Sequence, residues 1–405
     1  MKRGFLGVGI VIAILLLSGC QKDALDDSGK FPAENNAQNK YLLSDGVNFL
    51  ETEEFFCGTV FCEDYLQYYD KASGISGVLC ADPSCMHNSS ECGAYIKHFA
   101  SLSFYDGNLY RITSGTTLRE RYLCKSDLTG MNRENIMPIS YEDIIMVYQP
   151  QKYIVHQGKL FLLGRASAVD GMQTVFRVSL LSADLSGDGE FTVLHDENVP
   201  SGVSDTYRFV GGYVYLSLVT YENLDSRDIT ITRFDIENGT SEVIYQELDM
   251  AENPGKIWVT ENHEIYLPGW KDNKAYLWKL ENNEKVEIAS WPADGSSGSD
   301  IPDVTDGVVV NISRRENIRW VEIRDFSGTL IYSGKLYPDV ISGLDIDPNS
   351  CSYSLLGGDE EKLIIDLMYH GEMRSADYTV LLDLKDNMKA TLLWGNEEER
   401  KLPWN

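Results

Sequence analysis

A short pattern recurs seven times along this 405-residue chain: a turn rich in Asp, Asn and Gly, then apolar residues alternating with others. It is carried by Asp45, Asp106, Gln157, Gly211, Asn262, Asp306 and Asp359, as in "FYDGNLYRI" and "VTDGVVVNI", at spacings of 44 to 61 residues. A second pattern follows each copy after 19 to 27 residues: apolar alternation, an acidic residue, a turn and another apolar run. It falls at Asp70, Asp127, Asp184, Asp235, Glu281, Asp325 and Asp383. Period-two alternation builds half-buried strands, and Asp-Gly or Asp-x-x-Gly supplies a turn through its side-chain hydrogen bond and positive φ. Each pattern is therefore predicted to be a hairpin, and two hairpins make a four-stranded antiparallel sheet. Seven such sheets arranged radially give an all-β, seven-bladed β-propeller. Two β-sandwiches, the rival architecture, would not repeat one pair of turns seven times.

The chain opens "MKRGFLGVGIVIAILLLSGCQKD": a positive start at Lys2 and Arg3, an apolar run from Gly4 to Leu17, then Ser18, Gly19 and Cys20. These are the three parts of a secretory signal, and the run is shorter than the ~20 apolar residues that cross a bilayer. "LSGC" resembles the lipobox of bacterial lipoproteins, which implies cleavage before Cys20, acylation of that cysteine and retention on the outer face of the bacterial cell membrane. The polar stretch after Cys20 buries too little apolar surface to fold. The expected organisation is a signal peptide at 1–19, acylated Cys20 and a flexible tether at 20–40, a propeller at 41–395 and a C-terminal tail at 396–405.

The "D[LF][ST]G" turns at Asp127, Asp184 and Asp325 resemble the signature of TolB-like and low-density-lipoprotein-receptor-type propellers. The mature chain as a whole resembles propeller lipoproteins of gut anaerobic Gram-positive bacteria, in which an "LC…C.H…C" loop follows the first repeat. That resemblance implies no particular activity.

The loop in question is "LCADPSCMHNSSEC", Leu79 to Cys92, placed by the repeat map between the first and second blades. Outside the membrane, disulfides are the default use of clustered cysteines, and at least one is expected here, with Cys57 and Cys62 as a further candidate pair. The alternative is a structural zinc, because Cys80, Cys85, His87 and Cys92 form a Cys3His set. The single residue between Cys85 and His87 is tighter than zinc loops usually use. Spacing leaves both readings open.

Acidic residues outnumber basic ones, 62 to 35, for a net charge of −27. Nucleic-acid and anionic-lipid binding draw on Lys and Arg, so nucleic acid is excluded as a partner. Asp184, Ser186, Asp188 and Gly189 sit as in a calcium loop, but His195 stands where the bidentate Glu belongs. The six histidines are scattered, and His156 and His263, beside hairpin turns, are expected to be solvated. Trp258 and Trp270 flank one hairpin and are expected to pack between blades rather than to stack on sugars. No nucleophile elbow, P-loop or H-E-x-x-H is present. The expected function is a membrane-anchored binding or scaffolding module for an extracellular ligand, glycan or protein, without catalysis of its own. The alternative is a carbohydrate-active or other hydrolytic enzyme, which requires carboxylates converging from different blades at the channel mouth.

Overall fold

The computed structural model of the protein describes residues 38–41, 49–59, 64–96, 102–114, 121–139, 152–170, 173–199, 203–221, 227–250, 252–292, 301–315, 318–336, 351–370 and 374–399. The signal segment, Cys20, most of the tether, Cys62, His98 and Trp404 lie outside them.

Seven antiparallel sheets of consecutive strands form a ring, as the repeat predicts. Blade 1 is built from Phe49–Glu51, Phe55–Gly58, Gln67–Asp70 and Ser76–Val78. Blade 2 comprises Ser103–Tyr105, Asn108–Ser114, Arg121–Asp127 and Glu134–Pro138, and blade 7 comprises Cys351–Gly358, Lys362–His370, Arg374–Asp383 and Lys389–Glu399. In blade 5 the first strand is broken into Asn253–Pro254 and Trp258–Val259, both paired to Ile265–Lys271.

Turn chemistry explains the phase. Asp106–Gly107 and Gln157–Gly158 join first to second strands with positive φ at both residues, 48° and 69° in one and 50° and 73° in the other. That is the geometry two-residue hairpins require. At the second turn, Asp127 Oδ1 accepts the N–H groups of Thr129 at 2.9 Å and Met131 at 3.0 Å. Asp325 repeats the arrangement with Ser327 and Thr329. Asp184 departs from it, since its side chain takes the Lys159 ammonium.

The first turn of blade 1 corrects the sequence reading. Asp45 precedes the described strands, and the hairpin turns instead at Thr52–Glu54. There Thr52 Oγ1 replaces the missing Asp-Gly, accepting the Phe55 N–H and donating to the Phe55 carbonyl, each at 3.1 Å. Two boundaries also differ. The 3-10 turn Gln38–Tyr41 lies at the edge of the expected tether, and the last strand runs to Glu399 rather than 395.

Among the described residues no strand is exchanged between blades 1 and 7, and side-chain packing joins the two. Trp394 stacks on Phe49 with ring centroids 5.6 Å apart, and Tyr41 adds its ring at 4.9 Å. These rings join one buried cluster with Phe161, Phe209 and Ile364, so the core spans blades 1, 3, 4 and 7.

The cysteine loop is an excursion of the outer strand of blade 1. The chain leaves after Leu79, whose N–H donates to the Leu66 carbonyl at 2.9 Å. It returns to the same neighbouring strand, where Leu66 N–H donates to Ala94 O at 3.0 Å and Ile96 N–H to Asp64 O at 2.8 Å. Blade 2 meets this insertion closely at Gly130, which has φ of +75° and where a Cβ would lie 2.4 Å from the Leu79 carbonyl. Gly130→Ala is expected to lower the unfolding free energy by about 2 kcal/mol in denaturant titration. A loss within 0.5 kcal/mol of zero would mean that blades 1 and 2 do not meet there.

Candidate functional site

The loop brings Cys80, Cys85, His87 and Cys92 together, with one ligand atom from each lying within 4.8 Å of all the others. Two tight turns do this. Asp82 Oδ1 accepts the Ser84 N–H at 2.8 Å, and the Asp82 carbonyl accepts the Cys85 N–H at 3.1 Å. Cys92 N–H closes a second turn on Ser89 O at 3.2 Å. The tight Cys-x-His spacing is solved at His87 itself, whose φ of 50° turns the backbone back at once. Its Nδ1 lies 3.4 Å from Cys92 Sγ.

Backbone amides lie near the sulfurs. Burial pushes Cys80 up, but the nearby backbone amides of Asp82 and Gly93, with the neighbouring thiols, hold it below the ordinary thiol value. The nearby amide of Ala94 acts in the same direction on Cys92, whose burial still pushes it up to about 11. N–H donors stabilise a thiolate. The four donors are the set a tetrahedral zinc takes, which needs sulfurs ~2.3 Å and nitrogen ~2.1 Å from one point.

The disulfide expected in this loop is not formed. Cys57, Cys80, Cys85, Cys92, Cys124 and Cys351 are all free thiols. A disulfide would use two of the three loop sulfurs and leave the third facing a histidine; the observed cluster uses all four groups. Cys57 is fully buried and its thiol is pushed up to about 12 by burial, while its expected partner Cys62 lies outside the described residues.

A second feature is a cavity of about 660 Å³ where the turns of blades 1, 2 and 7 meet, lined among others by Leu50, Glu51, Lys71, Phe104, Leu128 and Lys362. Glu51 is its hub. It receives Lys71 Nζ at 2.8 Å, the Lys362 ammonium and the Tyr41 hydroxyl, with Lys40 at 3.6 Å. Burial alone would raise this carboxyl, yet the bonds from Lys362, Lys71 and Tyr41 outweigh it and hold it at about 2. Lys40 also binds Asp359, tying the 3-10 turn to blade 7.

Carboxylates from different blades gather beside this cavity: Glu51 of blade 1 and Asp359 of blade 7 share Lys40, and burial raises the carboxyl of Asp306, which interacts with Lys40, Glu261 and Asp359; of these, Glu51 lines the cavity. A close acidic pair, Asp366 and Asp377, lies within blade 7 and outside the cavity lining. Asp366 is pushed up to about 7 by burial and then by the Asp377 charge, while the Thr379 hydroxyl donates to it at 2.7 Å.

The histidine expectation fails at His156, while His263 is half-buried. His156 is fully buried and its Nε2 lies 2.7 Å from Gly211 O in the next blade, and His263 Nδ1 lies 2.8 Å from the Tyr215 hydroxyl. Both tie neighbouring blades. The calcium reading also falls: Asp184 is held by Lys159, and His195 lies on the strand Thr192–Val199. Among the described residues the cysteine loop is the cluster able to hold a metal. Of the two tryptophans expected to pack, Trp258 is buried and Trp270 is half-buried.

No protein-family model matches the chain, and no curated protein matches it in sequence. In fold it is similar to a puromycin hydrolase, with a TM-score of 0.54 and 11% identity over 93% of this chain and 57% of that one. It is similar also to prolyl oligopeptidase B from Galerina marginata, with a TM-score of 0.53 and 10% identity over 93% of this chain and 53% of that one. TolB from Acinetobacter baumannii matches 72% of this chain and 61% of its own at 13% identity, and its TM-score of 0.36 carries no argument. The chain thus spans a little over half the length of these two enzymes, and the likeness is one of fold.

Proposed function

We propose that the protein is a lipid-anchored propeller on the outer face of a bacterial membrane that binds or scaffolds an extracellular glycan, peptide or partner protein. The cavity at the meeting of blades 1, 2 and 7 is its ligand site, and the cysteine loop is a structural zinc centre. The observation that carries binding over catalysis is the state of Glu51. Its carboxylate is taken up by Lys71, Lys362 and Tyr41, with Lys40 at 3.6 Å, and is held ionised by them, which suits a fixed binding surface rather than a general acid. The puromycin hydrolase and the prolyl oligopeptidase of similar fold bring no catalytic residue to this chain at 10 to 11% identity. Anchoring rests on the sequence alone, on Lys2, Arg3, the apolar run and Cys20.

The full chain, purified in detergent, is expected to enrich one ligand class on a glycan array or in pull-downs. Phe104→Ala should weaken that capture by on the order of tenfold, as loss of an aromatic anchor does. Capture indifferent to Phe104 and Leu128 would remove the cavity from the reading. Turnover of the captured ligand that ceases in Glu51→Gln would replace binding by hydrolysis. In cells, Cys20→Ser is expected to move the protein from the membrane fraction to the medium; retention would contradict the lipid anchor.

A further inference from the structure

We infer that the cysteine loop holds zinc as an anionic centre whose charge is met by Arg111 and Arg133 of blade 2, so that the metal clamps blade 1 to blade 2. This rests on the zinc reading above and adds what the metal does.

The first observation concerns two cations without carboxylates. Arg111, on the strand Asn108–Ser114, is 1% exposed and donates from Nη2 to the Gly93 carbonyl at 2.8 Å. Around it lie the Cys124 thiol, the Tyr153 phenol and Arg133. Arg133 donates from Nη1 to Cys92 O at 2.9 Å and to Ser90 O at 3.2 Å. Among the described residues neither guanidinium forms an ion pair, in a chain that carries 62 acidic residues. A buried guanidinium that meets one carbonyl, neutral thiol and phenol groups and a second cation, with its Nε and Nη1 unpartnered, is costly.

The second observation is the loop's own chemistry. Three thiolates and a neutral imidazole on Zn²⁺ sum to +2 − 3 = −1, and the four donor atoms already lie within 4.8 Å of one another. A disulfide or three protonated thiols are neutral and leave the buried Arg111 uncompensated, with the half-buried Arg133 beside it. The carbonyls the arginines take, those of Ser90, Cys92 and Gly93, belong to the turn that carries the last ligand. Ala81 N–H adds a direct bond to Thr129 O of blade 2 at 3.2 Å. The metal thus orders the turn from one side and blade 2 holds it from the other. Arg111 and Arg133 are positioning residues for the centre, as hydrogen-bonding partners around metal ligands are elsewhere.

The test uses the full chain in detergent, purified without added metal. Zinc content is measured, and Zn²⁺ affinity is then read by competition with a chromophoric chelator for wild type, Arg133→Met, Arg133→Lys and Arg111→Met. The expected results are one zinc per chain and a loss of affinity on the order of tenfold in Arg133→Met. Arg133→Lys, which keeps the charge, should bind more tightly than Arg133→Met, and the metal-free forms of wild type and Arg133→Met should melt together. Arg111→Met should weaken binding further if it folds; if it does not, the Arg133 pair decides. Stoichiometric zinc with equal affinity in Arg133→Met and Arg133→Lys would overturn the clamp and leave the zinc centre standing. No zinc in the preparation and no uptake of Zn²⁺ or Co²⁺ by the reduced protein would overturn both.

Discussion

Glu51→Ala is expected to lower the unfolding free energy by about 3 kcal/mol, because removing one member of a buried ionic group leaves the others uncompensated. Lys40, Lys71 and Lys362 converge on this carboxylate with side-chain exposures of 17, 28 and 23%, and the carboxylate itself is 16% exposed. They come from the 3-10 turn, blade 1 and blade 7, so the loss falls on the seam where the ring closes. Since the carboxyl is held at about 2, below its ordinary 4.5, its contribution is complete above the ordinary value and is lost as pH falls through 2. The wild-type advantage over the variant should therefore persist from pH 5 upward. Denaturant unfolding checks this, and a difference below 1 kcal/mol at pH 7 would mean that Glu51 is not what joins blade 7 to blade 1.

Asp366→Asn should act in the opposite direction. The folded carboxyl is pushed from 3.8 up to about 7, so the native state keeps a proton that the unfolded chain has released. Stability from this group is complete below about pH 4 and falls as pH rises through 7. At ~1.4 kcal/mol per unit, the penalty reaches on the order of 4 kcal/mol by pH 8. Asparagine cannot ionise and still accepts the Thr379 hydroxyl, so the variant should match wild type at pH 4 and exceed it at pH 8. A difference that does not grow across that range would show that Asp366 titrates as an ordinary surface carboxylate.

Whatever depended on local turn chemistry was legible in the sequence. Asp127, Asp235, Asp325 and Asp383 take the backbone N–H groups two to four residues on, and that need writes the same letter at each of those four second turns. Blade 1 escaped because Thr52 performs the task without Asp or Gly, which drew the reading to Asp45 instead. The cysteine cluster was legible for the same reason, all four donors lying within one loop, although the redox default favoured a disulfide that the geometry does not support. The Glu51 hub left no signal. Lys362 reaches it across 311 residues, and nothing in either local stretch marks them as neighbours until the ring is closed. Arg111 was hidden likewise, an arginine in an alternating strand whose burial follows only from the loop folded over it. His156 was misread because a residue beside a turn is solvated in an isolated hairpin, whereas in a ring that turn abuts the next blade.

The excursion between Leu79 and Ala94 breaks the repeat at the one place where the described residues gather a metal-binding set. Zinc K-edge X-ray absorption on the full chain, reduced and loaded with one equivalent of Zn²⁺, tests that assignment most directly. Three sulfur neighbours at ~2.3 Å and one nitrogen at ~2.1 Å are predicted, from Cys80, Cys85, Cys92 and His87. A shell of oxygen and nitrogen alone, or one with fewer than three sulfurs, would contradict it.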